Sequence, residues 1–552
     1  MSDRFYTVEI LNEPISFETI SYINSVKLSE YASNKKIREH KLGYLTREDI
    51  YFNIERGYEV NIDQAYVKDF SLADYRASRN LPANEKVVIK GFSSRFTFYD
   101  CDSVIDFSNS IIKEEVVFKE SIFSHGTLSF MHTDFEADVV DFSECKFHSH
   151  KTNFEHASFR SKEITFEHAH FSGDGVSFAN ASFNAAETNF KRVNFSNARV
   201  KFHFSTFSDG NKLFERIRVN GSLFDFRRVV FNSGKVDFRR AMFGSGYVTF
   251  EESEINEGKL TFRMSMFEGG DLSFRRTDFG KDEANFDHVD FNNRSVTFES
   301  ADVSTLSIVN SFVHGNLDLR IKRAEKIDLS YSYLYSITDL NFQKEDSLKK
   351  LSLIGVRNLG KIIIRWKENH VQKLIQTNGG TEEELADQFN ILKANFSANG
   401  QYNDEDFAYL NFKRHEHKFL RRNALEKANN FLKPFVHFGY AMRLLVFDKM
   451  GLYATHPGRV LVSMMVTIVF FTCIYISFHY LGIGELVNSV DASDKLDIVD
   501  KSLYHSAITF FTIGYGDFYP TSFNRMISAL EGWTGVFLMS YFTVAFVRKI
   551  LR

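Results

Sequence analysis

The sequence predicts a multidomain chain: a long β-solenoid, then an α-helical linker, then an all-α domain with two membrane spans. Three observations predict it. Phenylalanine recurs at every twelfth residue from 118 to 298. After the "TNGG" at 377–380 that beat is gone and a helical periodicity replaces it. Two apolar stretches long enough to cross a bilayer lie near the C-terminal end.

Length and composition agree with several domains. At 552 residues more than one is expected, and 67 basic against 71 acidic residues leave no electrostatic pull toward nucleic acid. Three cysteines, Cys101, Cys145 and Cys473, are too scattered for a disulfide framework or a zinc site and are expected to be buried small residues. The N-terminal "MSDRFYTVEI" has no apolar run, so no cleavable signal peptide is expected. Sixty phenylalanines and five prolines are the outliers, and both point to the repeat.

Residues 1–90 lack the beat and are expected to cap the open end of a solenoid spanning 91–365. Within it, a second series stands five residues after the first, from Phe123 to Phe207. It resumes at Phe231, with Val219, Ile255 and Val303 in its gaps. A small residue sits two before each, as in "GVSFANASF", and positions i and i+2 share a face only in a strand. A coil of twelve residues is too tight to enclose two phenyl rings and two further side chains, so a coil of twenty-four is predicted. Charges agree, because stacked coils bring equivalent positions about 4.8 Å apart. At a step of twenty-four, opposite charges meet in Glu167/Lys191, Lys191/Glu215, Glu215/Arg239, Arg263/Asp287, Arg227/Glu251, Glu251/Arg275 and Arg275/Glu299, and only Arg239/Arg263 is like-charged. The doublets "FRR" at 226–228, 238–240 and 274–276 are therefore read as a solvated, charge-paired face and not as a nucleic-acid surface. "LDL" at 317–319, "IDL" at 327–329 and "LSL" at 351–353 read as further rungs. No set of His, Asp, Glu or Ser recurs with the geometry of a catalytic site, so no enzyme is expected; a rigid spacer or docking surface is favoured over a ligand sensor.

These residues resemble the pentapeptide-repeat family, whose faces centre on Leu or Phe with a small residue two before. The resemblance implies a right-handed β-solenoid. Here alternate faces are five and seven residues long, which departs from the family pattern.

Residues 366–450 read as the helical linker. A hairpin turns at Asn399–Asn403, with Leu385, Phe389, Leu392 and Phe396 on one apolar face and Phe407, Leu410 and Arg414 on the other helix. It is faintly similar to a single tetratricopeptide-type unit. "KPFVHFGYAMRLLVFDKM" at 433–450 suits either a helix in the cytoplasmic membrane interface or a core helix of the soluble part.

The last segment, 451–552, reads as a two-span domain: a first span at 460–481, a half-helix at 502–511 and a second span at 526–547, interrupted by Glu531. Arg459 precedes the first span, and Arg548, Lys549 and Arg552 follow the second, which puts both chain ends in the cytosol and the protein in the cell's inner (plasma) membrane. The intervening loop carries Glu485, Asp491, Asp494, Asp497 and Asp500 against Lys495 and Lys501, an acidic mouth that would concentrate cations. The spans hold no arginine beyond Arg525 at the outer edge of the second, so no voltage-sensor helix is expected.

Between half-helix and second span stands Thr512-Ile513-Gly514-Tyr515-Gly516-Asp517, which resembles the potassium-channel signature. Taken with the repeats, the chain resembles bacterial ion channels of the pentapeptide-repeat-containing type. The resemblance implies a homotetramer in which four loops ring one axis, with K+ held by Thr512, Ile513, Gly514 and Tyr515 and with no cofactor. Gly514 and Gly516 permit backbone angles that let carbonyls point inward, and Ile513 and Tyr515 turn outward. Tyr504 and His505 stand where the family often has tryptophans supporting the filter. Gly535 falls near the family's hinge glycine, with helix packing as the alternative. Glu531 is costly in lipid, and a hydrogen-bonded place beside the pore helix is expected over pore lining. The expected partners are K+, other copies of the chain, the lipid bilayer and an unspecified cytosolic ligand or protein. A weakly selective cation pore and a membrane-anchored scaffold with a non-conducting pore stand as alternatives. Since the chain ends soon after the second span, cytosolic control is expected to enter through 448–459 or by direct contact.

Overall fold

The computed structural model describes residues 4–551 except 19, 33–34, 197, 343–346 and 490–495. Asp491, Asp494 and Lys495 of the acidic loop, and Arg552, lie outside the described residues. The chain forms two compact units, Met1–Gly379 and Gly380–Arg552.

The first unit is the β-solenoid, and its coil is the predicted one of twenty-four residues. Parallel strands pair Phe159 with Phe183 and Val176 with Val200. Phe118 stacks face to face on Phe142, 4.9 Å away and 3° from parallel. Against Phe130, half a coil on, it is edge-on at 83°. Two phenylalanine columns thus climb the interior side by side, each stacked within itself and T-shaped to the other, the two geometries a phenyl quadrupole favours. Two residues after each ring the chain turns through the left-handed region, from Glu120 to Ser300, with φ between +54° and +61°. Side chains there cost about 1 kcal/mol or more apiece. The buried ring stack between the turns offsets that cost.

The beat loosens after Val303 because the coil shortens. Val296 pairs with Leu317 and Phe312 with Tyr333, steps of twenty-one (317 − 296 and 333 − 312). The three late motifs are rungs, in strands Asn316–Asp318, Arg323–Asp328 and Leu348–Ser352. At the N-terminal end, strands Arg4–Leu11, Asn24–Ala32 and Lys35–Leu45 form an antiparallel sheet. It continues into the solenoid, since Lys35–Leu45 pairs in parallel with Ala65–Lys68 and that strand with Phe98–Asp100. Rungs therefore begin at Val60, inside the segment read as a cap, with helices α1 (Arg47–Glu55) and α2 (Leu72–Ser78) on the early connections. At the other end α3 (Val371–Asn378) packs Val371, Leu374 and Ile375 onto the last coils.

The second unit begins with the helical hairpin, α4 (Glu382–Ala398) and α5 (Tyr402–Lys427). Thr381 and Glu384 cap α4 reciprocally, and Leu385, Phe389, Leu392 and Phe396 are buried as the periodicity predicts. α6 (Lys433–Arg443) continues as a π-helical turn over Leu444–Lys449. α6 buries none of its residues, with Phe435 and Phe438 about two-thirds exposed, so it is not a core helix of the hairpin within one chain. Then come α7 (Pro457–Tyr480), α8 (Ile498–Phe510) and α9 (Asn524–Ile550). α7 and α9 are long and apolar enough to cross a membrane. α8 packs between them, its Phe510 buried with Met464, Ile468 and Leu538.

Candidate functional site

The backbone of Thr512–Gly516 alternates in hand. Thr512 (φ +55°), Gly514 (+58°) and Gly516 (+78°) are left-handed, whereas Ile513 and Tyr515 are not. In a strand, successive carbonyls face opposite ways; alternating the hand of successive residues turns them to one side. A row of main-chain oxygens on one side of a ribbon is what a dehydrated cation needs in place of its water shell. A Cβ added at Gly514 or Gly516 would meet no atom within 4 Å, so backbone angle and not room calls for glycine there. The Thr512 hydroxyl donates to the Phe511 carbonyl at 2.7 Å, so in the single chain it is engaged locally. Ile513 and Tyr515 are 51% and 72% exposed, bare of the packing expected for them.

The two residues expected to brace this ribbon diverge. The Tyr504 ring lies edge-on to Phe518, just past the ribbon, with ring centres 5.9 Å apart, and the ribbon's exit is pinned where the Ser489 amide donates to the Asp517 carbonyl at 2.8 Å. A short antiparallel pair, Leu486–Asn488 with Phe518–Pro520, continues that pin. His505 turns the other way, because α8 places successive residues about 100° apart. Its Nε2 lies 3.0 Å from the Ser528 hydroxyl, and its ring is edge-on to Tyr475.

From there a line of hydrogen bonds leads to Glu531. His505 Nε2–H donates to Ser528, Ser528 donates to the Tyr475 oxygen at 2.9 Å, and Tyr475 donates to Glu531 Oε2 at 2.7 Å. Ser506 donates to the other carboxylate oxygen. Glu531 is fully buried, and these partners are how an acidic group is tolerated at that depth. It binds the back of the half-helix, as expected from its cost in lipid. Tyr475, Ser506 and Ser528 were not singled out from the sequence. A buried Glu signals that partners exist, but which residues reach it depends on how three helices register.

Gly535 is a packing position. A Cβ there would lie 2.0 Å from the carbonyl oxygen of Phe510, so glycine lets α9 touch the end of α8 directly. Gly532, one turn earlier, has its nearest atom at 3.8 Å, ordinary contact. α9 runs unbroken through both.

A second cluster surrounds the far end of α9. Leu452, Tyr453 and Ala454, just before α7, are all left-handed (φ +47°, +54° and +62°), a rare run for residues with side chains. Tyr541 of α9 holds it: the Ala454 amide donates to its oxygen at 3.0 Å, and its hydroxyl donates to the Phe447 carbonyl at 3.2 Å. Gly451 lets the Tyr541 ring close in, since a Cβ there would sit 2.3 Å from it. From the hairpin, Arg414 pairs with Asp448 at 2.8 Å and His417 meets the Tyr453 hydroxyl at 2.9 Å; burial holds His417 below the usual histidine range. Arg548 and Lys549, at the end of α9, donate to Asp406 of α5 at 3.2 and 3.3 Å. The Arg548 guanidinium also lies 4.3 Å over the Tyr409 ring.

Residues 462–552, from α7 onward, match the family model described as an ion channel. This region is thus an ion channel domain built on two apolar helices, carried on a chain whose other unit is a β-solenoid. No curated protein and no solved structure matched the chain.

Proposed function

We propose that the protein is a potassium-selective channel in which four copies place their Thr512–Asp517 ribbons around one axis. The observation that carries this reading is the alternating backbone hand at Thr512, Gly514 and Gly516, which aligns main-chain oxygens toward one side. One ribbon supplies a quarter of such a ring, and the bare Ile513 and Tyr515 are the side chains that neighbouring copies would cover. Glu531 and its partners hold the half-helix from behind, and Ser489 on the Asp517 carbonyl, with Tyr504 against Phe518, holds the ribbon's outer end. In this reading the protein lies in the cell's inner membrane with α5 and the solenoid in the cytosol. Control reaches the conduction path where Asp406, Tyr409 and Tyr453 meet the inner end of α9.

The test is flux from protein reconstituted in liposomes, with reversal potentials measured under opposing K+ and Na+. A potential near that for K+ alone supports the reading. A potential near zero makes the protein a weakly selective cation pore, and absence of flux makes it a membrane-anchored scaffold.

A further inference from the structure

The repeat sets two columns of left-handed turn residues along the solenoid, and their charges differ. In one column Arg228, Glu252 and Arg276 alternate and pair across coils, at 2.7 and 3.3 Å. In the other, Arg192, Arg216 and Arg240 follow one another in the same backbone position, at φ +56°, +57° and +56°. Neighbouring rungs are about 4.8 Å apart, and like charges placed opposite one another in a ladder are destabilising. The fold thus keeps a repulsive stack on one corner while neutralising the equivalent stack on the other.

The flanking residues do not relieve it. Arg239 is neutralised by Glu215 and Asp237. Arg192 has the imidazole of His168 at 3.1 Å. Among the described residues Lys191, Arg216, Arg240 and Arg263 have no carboxylate at ion-pair distance, although the sequence pattern had paired Lys191 and Arg263. Together these side chains line a groove of about 470 Å³ in which six cations face two carboxylates.

We propose that this groove binds a small, soluble, polyphosphorylated ligand. Five of its six cations are arginines, whose forked donors suit phosphate oxygens. The strip is short: from the rung of Lys191 to that of Arg263 is three spacings, roughly 14 Å. Glu167 bounds it on one side, and on the other the basic run stops at Arg263, where Met264 takes the turn position and the next coil brings Asp287. That length suits a few linked phosphates and not a nucleic-acid strand, which would need the strip to run on.

The experiment is calorimetric titration of the full chain in nanodiscs of neutral lipid, at physiological salt, with inorganic tripolyphosphate and with ATP. Citrate is the carboxylate comparator. The wild type is compared with R216Q/R240Q and with R228Q/R276Q. The expected result is saturable binding of at least one phosphate probe, weakened about tenfold or more in R216Q/R240Q and unchanged within about twofold in R228Q/R276Q. Without ligand, R216Q/R240Q melts at or above the wild-type temperature, because the change relieves repulsion; a lower melting point would refute the premise of a strained stack. Absence of saturable binding, equal loss in both variants, or equal binding of citrate would each overturn the proposal. The readout is binding alone and does not depend on conduction.

Discussion

The two glycines of α9 separate packing from bending. At Gly535 an alanine Cβ would stand 2.0 Å from the Phe510 oxygen and 2.9 Å from its carbonyl carbon. Ordinary contact begins near 3.4 Å, so α9 and the end of α8 would have to part by more than 1 Å. The atoms it would meet are backbone and Phe510 is fully buried, so nothing flexible can give way. Overpacking of this kind costs about 1–3 kcal/mol per site, and roughly 4–12 kcal/mol over the four copies of the proposed assembly if they act independently. The displaced end of α8 leads straight into Thr512, so the ribbon moves with it. Gly535→Ala is expected to lower the melting temperature of the purified assembly and to abolish flux or erode discrimination between K+ and Na+. Gly532→Ala, with its nearest atom at 3.8 Å, is expected to match the wild type in both assays. If Gly535→Ala kept wild-type stability and selectivity and only opened less often, the glycine would be a hinge and the packing argument would fail.

Two further outcomes follow from groups elsewhere in the chain. Lys212 occupies a buried position whose counterpart one coil on is Val236, and its ammonium donates to the carbonyls of Asn232 and Ser233 at 2.9 and 2.7 Å. Burial lowers its pKa to about 8 from 10.5, so between those values the unfolded chain holds more protons and the solenoid gains stability as pH rises. The whole effect is on the order of 3 kcal/mol; Lys212→Met should therefore stabilise the protein at pH 7, with the advantage fading by about pH 10.5. A difference between the two melting curves that stays constant with pH would contradict this. Asp406→Asn removes the charge that receives Arg548 and Lys549, worth about 1–3 kcal/mol, so amide exchange over 541–550 should quicken by roughly 5- to 150-fold. Unchanged exchange there would mean that α5 does not restrain α9.

What the sequence disclosed followed from periodicity and from groups with few tolerable environments. A phenylalanine every twelfth residue, a charge pattern that balances only at twenty-four and two apolar runs were enough for the coil and the two long helices. Glu531 was legible as hydrogen-bonded beside the half-helix because an acid at that depth has few alternatives. The partners were not legible, since Tyr475, Ser506 and Ser528 are ordinary residues until three helices settle in register. Charge pairing was legible only in part. Glu215 with Arg239 and Arg275 with Glu299 pair across coils as expected. Arg227 instead folds back on Asp225 in its own coil, a choice that long side chains make by rotamer and that no spacing encodes. His505 shows the same limit: it adjoins Tyr504 in sequence, yet one helical step of about 100° turns it toward Tyr475 and Ser528 instead.

The placement of the hairpin bears on how control would enter the conduction path. α4 and α5 belong to the same compact unit as α7–α9, so the contacts from Asp406, Arg414 and His417 are internal to the body that holds the channel domain. They converge on two features: the end of α9 and the strained turn Leu452–Ala454 that feeds α7. Tyr541 bonds ahead of that turn at Phe447 and to its last residue at Ala454, so moving the C-terminal half of α9 must either carry the turn along or release it. Three consecutive left-handed residues are held only while their surroundings hold them. Releasing Tyr541 would therefore free strain at the root of α7 while loosening α9, tying both helices to one event. A hairpin gripping Arg548 and Lys549 has leverage on that event without needing to touch the Thr512–Asp517 ribbon.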